Sequence, residues 1–183
     1  MPEANPAQII RNGAVVADAW QVLRPTAEAP LDIGSLPGGA LIVPLAFWMA
    51  NADALLARGD AAPWIASHED PAALAPWIPR LTLIAVDFPK FTDGRGFSTA
   101  FLLRSRLGYK GELRAIGDVL ADQLFFMRRV GFDAYAVRAD KDIRKALQVL
   151  APFTDAYQGS VDNPVPAFRR HQRAGPAPGK AGT

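Results

Sequence analysis

A chain of 183 residues with 50% hydrophobic and 21% charged side chains has ordinary globular composition, and it is long enough to bury a core without a metal or a disulfide. It contains no cysteine, which removes thiolate nucleophiles, disulfide relays and cysteine-held iron–sulfur or haem groups, and its two histidines, His68 and His171, are too far apart to suggest a zinc site. The net charge of +2 divides unevenly: from Pro164 onward there are four bases (Arg169, Arg170, Arg173, Lys180) and no acid, leaving 16 bases against 18 acids in the body. The stretch GPAPGKAGT can pack nothing, so the basic end reads as a solvated tail and not as a nucleic-acid site. The longest apolar run, residues 40–50, is half a membrane span and holds Pro44, and the opening Met-Pro-Glu has no apolar signal segment. The expectation is a soluble cytoplasmic protein that engages neither membrane nor nucleic acid.

In chain order, residues 9–16 place Asn12-Gly13 between two apolar runs, a hairpin signal, and Trp20, Val22 and Leu23 alternate as if to continue it. Residues 25–30 form a linker. The pattern then changes to alternating strand and helix. Residues 41–45 read as a buried strand and 46–58 as a helix stopped by Gly59. Residues 64–67 are a second strand, and Asp70-Pro71 starts another short helix. Residues 81–88 (LTLIAVDF) are apolar on both faces, as a central parallel strand requires. A helix over 97–107, a strand over 112–116, a helix over 119–130, a strand over 134–137 and a helix over 143–150 complete about five βα units. The expected class is α/β, with parallel βα repeats in a flavodoxin-like open sheet or a half-barrel-like arrangement, preceded by an N-terminal hairpin. The expected division is hairpin and linker over 1–30, the α/β domain over 31–158, and a flexible basic Pro/Gly-rich tail over 159–183.

In either parallel architecture ligands gather at the carboxyl ends of the strands. Those positions hold Asp87, Asp118, and Arg138 with Asp140; His68 and Glu69 follow the weaker second strand. The densest candidate is the loop FPKFTDGRGFS over 88–98. There Gly94 and Gly96 allow a tight backbone, Lys90 and Arg95 supply positive charge, and Ser98 stands where it can cap the next helix. Free N–H groups at a helix start attract anions, so one reading is a cradle for phosphate, sulfite or a carboxylate; the other is a tight turn with Arg95 paired to Asp93 or Asp118. The loop lacks the G-x-G-x-x-G fingerprint, because Thr99 takes the last position, and it lacks a Gly-Lys-Ser/Thr ending. Asp87 and Asp118 form a candidate carboxylate pair for proton transfer or for a divalent cation, or are neutralised by Arg114 and Arg95 in an ion-pair network. Gln123 falls one turn into the following helix. Tyr109 and Tyr135 read as packing residues, His68 as a weak acid–base candidate, and Ser98 has no placed base.

The block FPKFTDGRGFSTAFLLRSRLGYKGELRAIGDVLADQLFFMRRVGFDAYAVR resembles an uncharacterised bacterial family, domain of unknown function 934. The similarity extends from the Asn-Gly hairpin and Trp20, through VPLAFW over 43–48, to Tyr157 and Gln158. The family pattern is matched in the loop at Phe88, Pro89, Phe91, Asp93, Gly94, Arg95, Gly96 and Ser98, and then at Arg104, Gly108, Gly111, Glu112, Arg114, Gly117, Asp118 and Gln123, ending with Gly131, Phe132 and Asp133. Val130 stands where related sequences often carry cysteine, so a thiol mechanism is not shared by this chain. Members are described as oxidoreductases associated with sulfite reduction and are often encoded beside the sulfite reductase hemoprotein subunit.

What the resemblance implies is an accessory protein or oxidoreductase component of assimilatory sulfite reduction, with that hemoprotein subunit as a partner and no cofactor specified. The residues add a proposed site, with Asp87, Asp93 and Asp118 as catalytic candidates and no metal. Lys90, Gly94, Arg95, Gly96, Ser98, Arg114 and Gln123 would bind a small anion or a phosphate-bearing ligand. The alternatives are an independent small enzyme that binds a nucleotide or flavin phosphate, and a non-catalytic scaffold.

Overall fold

The computed structural model describes residues 8–150 and 160–161, so nearly all of the basic tail lies outside the described residues. The Asn-Gly hairpin forms as its sequence dictates. Strands β1 (Gln8–Arg11) and β2 (Ala14–Ala17) pair antiparallel through Asn12 (φ 50°) and Gly13 (φ 78°), the left-handed pair that a tight hairpin turn needs. Trp20 and Val22 carry on from β2 but do not extend its antiparallel pairing with β1. Trp20–Val22 is a separate strand, β3, paired parallel with β4 (Ala40–Pro44). Strands β5 (Ala61–Ile65), β6 (Leu83–Phe88), β7 (Glu112–Gly117) and β8 (Ala134–Tyr135) follow, each parallel to the last.

The spatial order is β2-β1-β8-β7-β6-β5-β4-β3. The six parallel strands therefore lie side by side in chain order, without the reversal that a flavodoxin-like sheet contains. Of the two arrangements the sequence permits, this one is half-barrel-like. The helices cover one face. They are α1 (Leu45–Ala50), α2 (Ala52–Arg58), α3 (Arg95–Ser105), α4 (Leu124–Val130) and α5 (Ile143–Val149). The expected helix over 46–58 is broken at Asn51, which leaves the helical conformation and donates its side-chain amide to the Phe47 carbonyl at 3.0 Å. The segment Pro71–Arg80 is 3-10 helix, because Pro76 and Pro79 lack the N–H groups of a regular α-helical ladder.

Alternation along the strands sorts the core into two sets. Leu41, Val43, Ile65, Ile84, Val86, Phe88, Leu113 and Ala115 pack against the helices. Ile42, Ala62, Leu83, Ala85 and Ile116 pack on the other face with Trp20, Val22, Trp64 and Ala136. This second face, to which none of the described helices contributes, is the concave one, and the curl itself has a covalent reason. Strands β2 and β3 occupy opposite edges of the sheet, yet only Asp18 and Ala19 separate them. Three Cα steps reach at most about 11 Å, so the sheet must curl until its edges approach. In effect β2 and β3 are one strand bent at Asp18, the first part paired with β1 and the second with β4.

Arg114, on β7, clamps that bend from inside. It is 1% exposed, and the small side chains of its register partners Ala85 and Ala134 leave room for it. Its Nη1 donates to both Asp18 carboxylate oxygens at 2.8 and 2.9 Å, across 96 residues of sequence. Its Nε donates to Glu112 Oε1 at 2.8 Å, while Nη2 lies 2.7 Å from the same oxygen as a charge contact without hydrogen-bond geometry. Asp18 Oδ1 also accepts from the Trp20 N–H at 3.1 Å, which fixes the bend itself. Removing one member of a buried ion cluster leaves the others uncompensated. Arg114→Ala is accordingly expected to lower the free energy of unfolding by about 3 kcal/mol or more. Denaturant unfolding followed by circular dichroism measures this, and a loss below about 1 kcal/mol, the range of surface pairs, would show that the curl does not depend on the cluster.

Candidate functional site

The concave parity continues past the strand ends and brings four charged side chains together. Residues 20 and 22 of β3 face inward, and so does Arg24; Leu83 and Ala85 are followed by Asp87; residues 112, 114 and 116 of β7 by Asp118; and residues 134 and 136 by Arg138. Arg24, Asp87, Asp118 and Arg138 line an open cleft of ≈ 520 Å³ with Phe88, Pro89 and Gly117, at the carboxyl ends of β6 and β7. Asp87 and Asp118 thus lie on one cleft, as strand-end reading expects, with Arg138 beside them. The sequence reading misses Arg24, because it stands between the last alternating residue, Leu23, and the linker over 25–30. The signal that finds it is the step of two from Trp20 through Val22.

The carboxylates are paired, but not with Arg114 and Arg95 as one sequence reading has it. Arg24 Nη2 donates to Asp87 Oδ1 at 2.5 Å and Nη1 to Oδ2 at 3.2 Å, so the half-exposed guanidinium grips a buried carboxylate with both arms. It also stacks over the Trp64 ring at 5.2 Å, and the Trp64 indole N–H donates to the Leu23 carbonyl at 3.1 Å. Arg138 donates through Nη1 to Asp118 at 2.8 Å and through Nε and Nη2 to Asp140 at 2.6 and 2.9 Å. That pairing holds the Asp140 carboxyl well below its ordinary range. Arg114 is turned toward the amino ends of the strands by Asp18 and Glu112, away from this cleft.

Asp118 and Gln123 hold the β6–α3 loop. Asp118 Oδ2 accepts from the Phe91 N–H at 2.9 Å, and Gln123 Nε2 donates to the Phe91 carbonyl at 2.7 Å. The Asp118 N–H donates to the Phe88 carbonyl at 2.7 Å. This last bond needs Gly117, whose φ is +91° and whose added Cβ would stand 2.4 Å from the Phe88 oxygen and 2.7 Å from Asp87 Oδ1.

Further along the loop, α3 starts at Arg95 with Gly94 as its N-cap, so Ser98 lies within the helix and does not cap it. The capping group is Asp93, whose Oδ1 accepts from the Arg95 N–H at 3.2 Å. Arg95 folds back onto the same carboxylate at 2.9 and 2.7 Å. The first turn of α3 is therefore already supplied with an anion by the chain. Gly96 has no unusual φ; its role is close approach, since a Cβ there would lie 2.7 Å from the Phe88 ring. Lys90 is exposed beside Pro89 at the rim of the cleft.

The rest of the block that resembles the family braces the fold. Arg104 Nη1 donates to the carbonyls of Tyr109 and Gly111 at 2.9 Å each, Nε to Gly131 at 2.9 Å, and Nη2 to Asp133 at 2.7 Å. Burial pushes the Asp133 carboxyl upward from its usual value and the Tyr109 phenol upward as well. Among the described residues no three His, Asp or Glu side chains converge to hold a metal ion. No helix among them is long and apolar enough to cross a membrane.

Fold and cleft together define an α/β protein of half-barrel type with an ion-paired cleft at the carboxyl ends of its parallel strands. A family model described as a bacterial protein of unknown function, DUF934, matches residues 62–168, more than half of the chain, and the chain belongs to that family. No curated protein and no solved structure matches it.

Two predictions follow from the loop. Gly96→Ala forces a methyl group against the Phe88 ring and is expected to lower stability by about 1–3 kcal/mol in thermal or denaturant unfolding; an unchanged midpoint would show that α3 shifts without cost. Asp93, held below its ordinary 3.8 chiefly by its hydrogen bond with Arg95, keeps its charge into more acidic solution. Its folded value is depressed, so the stability it contributes is present above the unfolded value and lost as pH falls through the folded one. Carboxyl carbon NMR of wild type and Arg95→Ala is expected to show the Asp93 titration moving up toward the ordinary value in the variant.

Proposed function

We propose that this protein is an accessory component of assimilatory sulfite reduction and that its cleft receives a small oxyanion between Arg24 and Arg138. The supporting observation is the convergence of these two half-exposed guanidiniums on one cleft at the carboxyl ends of the parallel strands, where α/β sheets of this kind carry their ligands. A guanidinium has five N–H donors. Arg24 uses two groups on Asp87 and Arg138 three on Asp118 and Asp140, so each keeps donors for an incoming oxygen without releasing its partner. The carboxylates fix the direction of the guanidiniums before the ligand arrives, and Asp87 and Asp118 are then the candidate proton-transfer groups nearest to it. Lys90 adds charge at the rim. Asp93 and Arg95, with Gly94, Gly96 and Ser98, shape the neighbouring helix start, while Arg114 supports the site from the interior. The link to sulfite reduction, the oxidoreductase role and the hemoprotein subunit as partner rest on family resemblance.

A second reading is favoured by size. The cleft of ≈ 520 Å³ exceeds a lone oxyanion and falls in the range of about 300–1,000 Å³ that small-molecule sites occupy. A phosphate-bearing ligand such as a nucleotide or flavin would place its phosphate at the same arginine pair.

Calorimetry with sulfite, sulfate and phosphate tests the site. Arg24→Ala and Arg138→Ala are each expected to weaken the bound anion about tenfold, the loss of one charge-assisted contact, while Arg95→Ala leaves affinity near wild type. Equal affinity in all three folded variants would remove the cleft from the proposal. Thermal stabilisation by a nucleotide or flavin, with none by sulfite, would select the second reading. Growth of a deletion strain on sulfite against sulfide, complemented with the same variants, tests the biological setting separately.

A further inference from the structure

The outer side of the α3–α4 pair carries a feature that the cleft chemistry does not use. Six large apolar side chains are exposed among the described residues, and the three phenylalanines in that set, Phe91, Phe101 and Phe126, gather here at 53%, 46% and 52% exposure. Phe97 links them: its ring meets Phe126 edge-on at 4.9 Å and Phe88 beneath it at 5.3 Å. Phe101 lies one helical turn beyond Phe97 on the same face of α3. Gln123, one turn before Phe126, ties the backbone of Phe91 to the same end of α4. Single exposed apolar residues are ordinary; a cluster of aromatic rings in one place marks an interaction surface.

Charge distinguishes the occupant. Residues 89–110 hold Lys90, Arg95, Arg104, Arg106 and Lys110 against Asp93 alone, while in α4 Arg128 is bonded to the Leu150 carbonyl and Arg129 is buried. Residues 1–88, by contrast, hold nine acids against four bases. Arg104 is engaged inside the fold and Arg95 is gripped by Asp93, while Arg106 and Lys110 are exposed; Asp122 is an exposed acid at the border. With Arg95 held by Asp93, the exposed charges left in residues 89–130 are Lys90, Arg106 and Lys110 against Asp122, a local excess of positive charge.

We infer that this face docks a protein partner that presents an apolar anchor ringed by Asp and Glu. Self-pairing across a two-fold axis would set cations against cations, and the chain from Pro164 onward, with four bases and no acid, meets the same repulsion. An anionic lipid surface fits less well, because the exposed stripe of α3 sets Phe101 among Arg95, Ser98 and Ser105 and offers no broad apolar face to a membrane interface. The inference is independent of what the cleft binds.

The probes are two synthetic helical peptides with the same Leu and Phe anchors at i, i+3, i+4 and i+7, one carrying Glu at the remaining positions and the other Lys. Vesicles of phosphatidylglycerol and phosphatidylcholine form a third arm. With the full-length ¹⁵N-labelled protein, the Glu peptide is expected to shift amides of the 89–94 loop, α3 and α4, with affinity that falls as salt rises. The Lys peptide is expected to bind at least about tenfold more weakly, and Phe101→Ser and Phe126→Ser each to cost the Glu peptide about tenfold. Arg106→Glu, at an exposed position, is the check if a phenylalanine variant unfolds: it should weaken the Glu peptide and strengthen the Lys peptide. The inference is overturned by equal binding of the two peptides, by vesicle binding in place of the Glu peptide, or by concentration-dependent self-association through this face. Nuclear Overhauser contacts between Phe101 or Phe126 and residues after 161 would overturn it as well.

Discussion

Everything on the inner side of this sheet depends on the ion cluster of Arg114, Asp18 and Glu112. Two residues carry the chain from one sheet edge to the other, and a bend that sharp leaves backbone polar groups and an aspartate facing the interior. Arg114 answers both needs, since its guanidinium reaches the bend from the middle of the sheet and neutralises it. A buried charge cluster is a poor source of raw stability compared with apolar packing. Its contribution here is geometric: it specifies how far the sheet curls, and so how close Arg24 at one edge comes to Asp87, Asp118 and Arg138 in the centre. Without the curl, Arg24 would stand three strands away from its partner carboxylate.

The cleft that results is internally balanced. Arg24 opposes Asp87, and Arg138 opposes Asp118 and Asp140, so each guanidinium is already oriented by its carboxylates. The proposed anion site rests on such preorganisation, because arginines held in place lose little freedom on binding. It also separates two kinds of residue in the chain. Arg104, Gly96, Gly117 and Asp133 are explained by packing and by backbone hydrogen bonds. Arg24, Lys90 and Arg138 retain exposed charge at the cleft.

Much of this was legible in the residues. The hairpin turn at Asn12-Gly13, the buried strand ending at Asp87, and the placement of Asp118 and Arg138 at strand ends follow from local rules of turn chemistry and alternation. The helix over 46–58 and the cap at Ser98 were misplaced for local reasons too. Asn51 competes with the helix through its own side chain, and Asp93 reaches the first free N–H of α3 before Ser98 can. The ion-pair partners were a different matter. Arg24 and Asp87 are 63 residues apart and Arg114 and Asp18 are 96 apart, so no spacing rule along the chain connects them.

The sequence by itself determined the α/β alternation, the order of its elements, the absence of cysteine chemistry, and the polar groups at the carboxyl ends of β6 and β7. Periodicity and composition act over a few residues, and those properties are set at that range. The choice between an open sheet and a half-barrel, the bend that makes β2 and β3 one strand, and the selection of Arg24 over Arg95 or Arg114 as the partner of Asp87 were decided only in three dimensions. They depend on which strand lies beside which, and that is fixed by the closure of the whole sheet around the buried Arg114.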